Sequence, residues 1–133
     1  MKRLQLDYPS LKKKYPKLIY CSITGYPAKS SYAQVAGHDL NFQGLAGSLG
    51  WPPRMPAVPL ADVAGGYQAA VEIAAALFRR AETGRGSYLD ISMLESAREA
   101  NVLGLGEELR RNPFYGLYKT SDGGWLAVAA LEP

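Results

Sequence analysis

The sequence predicts an α/β fold, a parallel-sheet core followed by an antiparallel hairpin. Three observations predict it. Leu18-Ile19-Tyr20-Cys21-Ser22-Ile23 is a short apolar run with β-branched side chains, the pattern of a strand buried in a parallel sheet. A second such run, Tyr88 to Ser92, follows a long stretch of apolar residues spaced three or four apart, giving a strand–helix–strand order. Near the end, Ser121-Asp122-Gly123-Gly124 separates two strand-like runs, a hairpin signal.

The elements follow in order. Tyr8 to Lys14 has a helix start at Ser10, after Pro9, and stops before Pro16. The strand at Leu18–Ile23 closes at Thr24-Gly25, and Pro27 to Gln34 is a polar loop. Gly37-His38-Asp39-Leu40-Asn41-Phe42 opens a short helical pattern that ends across Gly44 to Gly50. Pro52, Pro53, Pro56 and Pro59 make the next stretch an extended connector. It leads to the clearest helix, Asp62 to Glu82. There Val63, Tyr67, Val71, Ala74, Leu77, Phe78 and Ala81 form one apolar stripe, expected to face the core. Thr83-Gly84-Arg85-Gly86 ends that helix. After the Tyr88–Ser92 strand, Met93 to Arg111 reads as a second helix, weakened by Gly104 and Gly106. The hairpin arms are Phe114 to Thr120 and Trp125 to Leu131. Two parallel strands alone leave open edges and too little cover, so the sequence reads as an internal piece of a larger fold.

Bulk properties exclude several classes. The 133 residues are 47% hydrophobic and 20% charged, an ordinary composition for a packed domain. The net charge of +3 is concentrated at Lys2, Arg3, Lys12, Lys13, Lys14 and Lys17, and no aromatic-interleaved basic stripe follows. A solvated helix face explains that run, so no nucleic-acid partner is expected. One cysteine, Cys21, cannot form an intrachain disulfide, and with one histidine a structural zinc site lacks ligands. No stretch approaches the ~18 uninterrupted apolar residues of a membrane span. The charged N-terminus has no apolar core after it, so no secretory signal is expected and the location expected is cytoplasmic.

Three side chains could carry chemistry. His38 lies in Ala36-Gly37-His38-Asp39. A lone histidine beside an aspartate is more often a packed or surface residue, yet its side chain is the one best placed to exchange protons near neutral pH. Gly37 allows close approach of a substrate. Asp62 follows Pro59 and precedes Gly65-Gly66. Its plain reading is a helix N-cap. Its functional reading is a carboxylate favoured in charged form at the positive end of a helix, as a proton acceptor or nucleophile requires. Glu132 in Ala129-Ala130-Leu131-Glu132-Pro133 is either a strand-end acid or a partner that orients a histidine. Gly84-Arg85-Gly86 lacks the spacing and the lysine of a phosphate loop. Ser92 and Ser96 lack nucleophile-elbow glycines, and Cys21, in a strand, reads as inert.

These residues also carry a resemblance. Leu18 to Tyr26, followed by Ala36-Gly37-His38-Asp39-Leu40-Asn41, resembles the start of the catalytic region of the family III CoA-transferases. Leu60 to Gly66, Ala74 to Leu77, Thr83 to Gly86, Pro113-Phe114-Tyr115, Asp122-Gly123 and Ala130 to Pro133 continue it in family order. The resemblance implies a fragment of that family's fold, a partial Rossmann-like parallel α/β core with a C-terminal β-hairpin. Residues 1–92 would be the C-terminal half of the large catalytic domain, 93–112 a helical linker, and 113–133 the start of the small domain.

Racemase-like members of the family carry a Gly-His-Asp segment where transferases usually carry an aromatic residue, so Gly37-His38-Asp39 points to that branch. The resemblance then implies that His38 and Asp62 are acid/base groups on opposite sides of a substrate α-carbon, with Glu132 paired to His38. Gly37, Asp39, Leu40, Asn41 and Phe42 would line the thioester and CoA pocket. The substrate would be an acyl-CoA thioester, with CoA part of the substrate and no separate cofactor. The implied assembly is a homodimer, or association with a missing chain portion. Two alternatives stay open: a CoA-transferase with Asp62 as nucleophile, and a catalytically silent truncated module.

Overall fold

The computed structural model describes residues 1–50, 52–101 and 112–130. The chain divides into two compact units, Met1–Asn101 and Val102–Pro133. The first unit holds helices α1 (Tyr8–Lys14), α2 (Asp39–Ala46), α3 (Leu60–Thr83) and α4 (Met93–Ala100), and strands β1 (Ile19–Thr24) and β2 (Ser87–Ser92). A single 3-10 turn, Lys2–Leu4, precedes α1. The second unit contains β3 (Tyr115–Lys119) and β4 (Trp125–Ala129).

Helix α1 begins earlier than the sequence suggests. Asp7 caps it by accepting from the Ser10 backbone N–H, and Pro9 falls within the first turn, where its missing N–H costs nothing. Strands β1 and β2 pair in parallel from Ile19↔Ser87 to Thr24↔Ser92, as the apolar runs imply. The alternation of a strand splits this small sheet into two faces. On one, Tyr20 and Tyr88 stack with each other and with Tyr8 of α1, ring centroids 5.3 to 5.9 Å apart. The other carries the buried Leu89 and Ile91, and α3 packs against both strands. Gly86 runs so close to the Leu18 backbone that any Cβ would clash with it, so the Thr83-Gly84-Arg85-Gly86 motif has a packing reason. Gly84, at φ +67°, ends α3 in the left-handed conformation.

The inward face of α3 differs from the expected one. Within the stripe assigned to the core, Tyr67 is 73%, Val71 69% and Phe78 70% exposed. The buried residues of α3 are instead Ala61, Gly65, Ala69 and Ala76. Small side chains let α3 lie close to α4 and the sheet, and Gly65 meets Met93 of α4 directly. The helix is apolar on both sides, and periodicity alone cannot choose between two apolar stripes. The core is small, built from Tyr26, Phe42, Ala61, Leu94 and Ala97, with Ala46 and Met93 packed against it.

α4 ends at Ala100, with Asn101 as its C-cap; the continuation expected to Arg111 lies outside the described residues. In the second unit, β3 and β4 pair antiparallel from Tyr115↔Ala129 to Lys119↔Trp125, around the expected turn. Gly123 sits there at φ +86°, and the Thr120 N–H donates to the Gly124 carbonyl at 3.0 Å. Among the described residues no helix is long and apolar enough to cross a membrane.

Candidate functional site

The segment from Gly37 to Phe42 is shaped by one buried ring. Phe42, on the first turn of α2, is 1% exposed and meets Tyr26 edge-on at 5.2 Å. A Cβ on Gly37 would lie 2.8 Å from Phe42 Cε1, and one on Gly25 would press still closer on the same ring. Both glycines therefore let the chain close over Phe42, which sets where His38, in N-cap position, precedes α2. His38 is exposed, and its backbone N–H donates to Asn41 Oδ1 at 3.0 Å. That bond is half of a capping box and fixes the turn. Leu40 is exposed on the first turn.

Asp39 turns the other way. Its Oδ1 accepts from the Ala61 N–H at 2.7 Å and from the Asp62 N–H at 3.1 Å. These are amides of the first turn of α3, orphan donors that a helix leaves without an internal partner. The residue in N-cap position, Pro59, has no side chain able to bond them. Asp39 thus caps a helix 22 positions downstream. Its Oδ2 accepts from Gln43 Nε2 at 2.6 Å, and the same amide donates to the Val58 carbonyl at 3.0 Å. Gln43 is one of the largest fully buried side chains, and the Ser48 hydroxyl donates to its Oε1. A buried amide with all these partners satisfied is a rigid joint rather than a penalty.

The consequence for Asp62 is direct. The cap role that its position suggests is performed by Asp39, and helix α3 starts before it, at Leu60. Asp62 lies in the first turn with its side chain exposed. The joint brings together the backbones that carry His38 and Asp62, 24 residues apart in sequence, because the residue after His38 bonds the amide of Asp62. Glu132 lies outside the described residues. A separate cavity of about 450 Å³ is lined by Met1, Asp7, Tyr8, Pro9, Tyr20, Ser22 and Tyr88, with no predicted site residue in its wall.

Sequence reasoning missed Gln43. Its signal was present, since Asp39 and Gln43 are four apart on one helix, the spacing at which side chains meet. The bond from Asp39 to α3 had no such signal. Cys21 lies in β1, and burial first, then the nearby Glu72 carboxylate, push its thiol above its ordinary range. It is accordingly a poor nucleophile at neutral pH.

Comparison with known proteins adds the following. The family model for CoA-transferase family III matches residues 1–133. Human alpha-methylacyl-CoA racemase is 36% identical over all of this chain and 40% of its own length. The succinate–glutarate CoA-transferase of Agrobacterium fabrum is 40% identical over 68% of this chain and 24% of its own. Among solved structures, a CaiB/BaiF family protein from Brucella suis superposes with a TM-score of 0.82 at 31% identity, covering 96% of this chain and 39% of its own. The chain thus spans about 40% of the length of the racemase and of that structural neighbour.

Proposed function

The chain belongs to the family III CoA-transferases, as a fragment of their fold, and from that premise we propose that it carries the two proton-transfer groups of a racemase acting on 2-methylacyl-CoA thioesters. The observation that carries this reading is the Asp39 joint, which links the turn bearing His38 to the helix end bearing Asp62. Inverting a stereocentre beside a thioester carbonyl removes a proton from one face of the α-carbon and returns one to the other. One of the pair, His38 or Asp62, takes the α-proton, and the electron pair moves onto the thioester oxygen as an enolate. The other residue, protonated, then delivers a proton to the opposite face and the carbonyl reforms. The roles swap in the reverse direction, so protons balance over each turnover. The family resemblance assigns Glu132 to orienting the His38 imidazole, and Gly37, Leu40 and Asn41 to the wall of the thioester and CoA pocket; Asp39 and Phe42, which it also places there, are turned into the protein, Asp39 bonding α3 and Phe42 buried in the core. This chemistry calls on no group beyond the substrate's own thioester and CoA. The exposed large side chains of α3 support a need for further polypeptide, a second copy or additional chain, in the active form.

The test is solvent exchange. In deuterium oxide, 2-methylbutanoyl-CoA should gain deuterium at C2, followed by mass spectrometry. Each of His38→Ala and Asp62→Asn should slow that gain by about 10²–10⁴-fold, the usual contribution of a positioned proton-transfer group. Equal exchange in the wild type and both variants rejects the two-base reading.

A second reading has support of its own in the 40% identity to a CoA-transferase. There the exposed Asp62 carboxylate attacks the thioester carbonyl, forms an acyl anhydride and releases CoA thiolate. An acyl adduct on Asp62 in intact-mass spectra, without C2 exchange, selects it over the racemase.

A further inference from the structure

We infer that Asp39 is a positioning residue of the proposed proton-transfer site, holding Asp62 in register with His38 through hydrogen bonds rather than touching the substrate; the inference rests on the two-base reading. Both oxygens of its carboxylate are engaged inside the protein. Oδ1 receives the Ala61 and Asp62 amides, and Oδ2 receives Gln43 Nε2. A carboxylate so occupied has little capacity left for a ligand. Its bonds run to the helix that carries one proposed base, while its own backbone adjoins the residue that carries the other.

The joint is reinforced at each end. Gln43 Nε2 ties Asp39 to the Val58 carbonyl, just before α3, so the connector and the helix start are held by one buried amide. Asn101 Nδ2, at the end of α4, donates to the Ala46 carbonyl at 3.0 Å and anchors the far end of α2. Pro59 leaves no local substitute, because no cap side chain precedes the helix. Without the Asp39 carboxylate the first amides of α3 lose their acceptor, and the junction keeps only the Gln43–Val58 bond and the packing of Phe42 with Ala61. A misplacement of about 1 Å at a reacting centre costs on the order of 10²-fold in rate.

The experiment compares this chain with Asp39→Ala and Asp39→Asn, reading two quantities in each. One is deuterium gain at C2 of 2-methylbutanoyl-CoA, separated into kcat and KM. The other is hydrogen exchange at the Ala61 and Asp62 amides by NMR. Asp39→Ala should lower kcat roughly 10²-fold while KM changes by less than about threefold, and both amides should lose protection. Asp39→Asn keeps an acceptor for the Ala61 and Asp62 amides but sets an N–H donor against Gln43 Nε2, so it should restore their protection and bring kcat back to within about tenfold of the wild type. An Ala variant that is folded and exchanges C2 at the wild-type rate overturns the inference while leaving the two-base reading intact. Protection of Ala61 and Asp62 unchanged by Asp39→Ala overturns it as well. If the Ala variant does not fold, Asn decides: wild-type protection with kcat lowered as far as 10²-fold rejects positioning by hydrogen bond. A wild-type chain with no C2 exchange, at concentrations where it self-associates as well as dilute, rejects two-base activity in this chain, a different result from either failure above.

Discussion

The two sides of α3 are both apolar, yet they behave oppositely. The side toward α4 and the sheet is made of Ala61, Gly65, Ala69 and Ala76, all buried. The other side carries Val63, Tyr67, Val71 and Phe78, all exposed. Burial of large apolar side chains is the main stabilising contribution available to a helix. Here the small side is used and the large side is left to solvent. Large apolar side chains left together on one face of a helix mark a surface suited to a further packing partner. The difference teaches that α3 packs within this chain through its small side, in a chain that spans about 40% of the human racemase it matches. The inner half does one further thing, since Ala61 begins it and is also the residue whose amide Asp39 holds.

Substitutions on the two sides should therefore separate cleanly. Ala61 is 0% exposed and packs among Tyr26, Phe42, Leu94 and Ala97. Ala61→Leu adds bulk with no room to receive it, and overpacking of this kind costs about 1–3 kcal/mol. Urea unfolding of this chain should show a lower midpoint at an unchanged slope. A midpoint equal to the wild type would mean that the small side is not tightly packed. Phe78→Ser removes a larger side chain, but one that is 70% exposed. Its expected effect is within about 0.5 kcal/mol, as for surface positions without special contacts. Destabilisation as large as that of Ala61→Leu would show that something already covers the outer side.

The fold was legible wherever a local signal coincided with the structure. The β-branched run gave β1 and its parallel partner to within a residue, and Gly84 marked the end of α3 correctly. The hairpin followed from its Asp-Gly turn. What failed needed information that local spacing does not hold. The direction faced by Val63, Tyr67, Val71 and Phe78 depends on what else packs beside α3, and both of its stripes satisfy the same period. Asp62 looked like a cap because it is an aspartate at the start of the helical pattern, but the cap comes from Asp39, brought there by tertiary contact. Gly37 to Phe42 was legible as the turn that opens a short helix, whereas the sorting of its side chains was not. Phe42 is in the core, Asp39 bonds α3, and His38 remains exposed, three fates decided by which side of one helical turn each residue occupies.

The smallest effect expected lies on the packed side of α3, where Glu72 falls three residues after Ala69 and four before Ala76. Glu72 approaches Cys21 of β1 from this helix, and its charge adds to burial in keeping the thiol protonated. Because the folded-state value is raised above the ordinary 9.0, the neutral thiol is the form the fold prefers. Its contribution to stability is fully present below that ordinary value and is lost as pH rises through the raised one. Glu72→Gln removes the charge and keeps the shape, so the thiol should titrate at lower pH, though still above its ordinary value because burial is the larger cause. The rate of alkylation by iodoacetamide, followed from pH 7 to 11, reads this directly, since the thiolate is the reacting form. The variant's profile should shift to lower pH with the same plateau. Superimposable profiles would mean that the Glu72 carboxylate points away from the sheet and that burial alone raises the thiol.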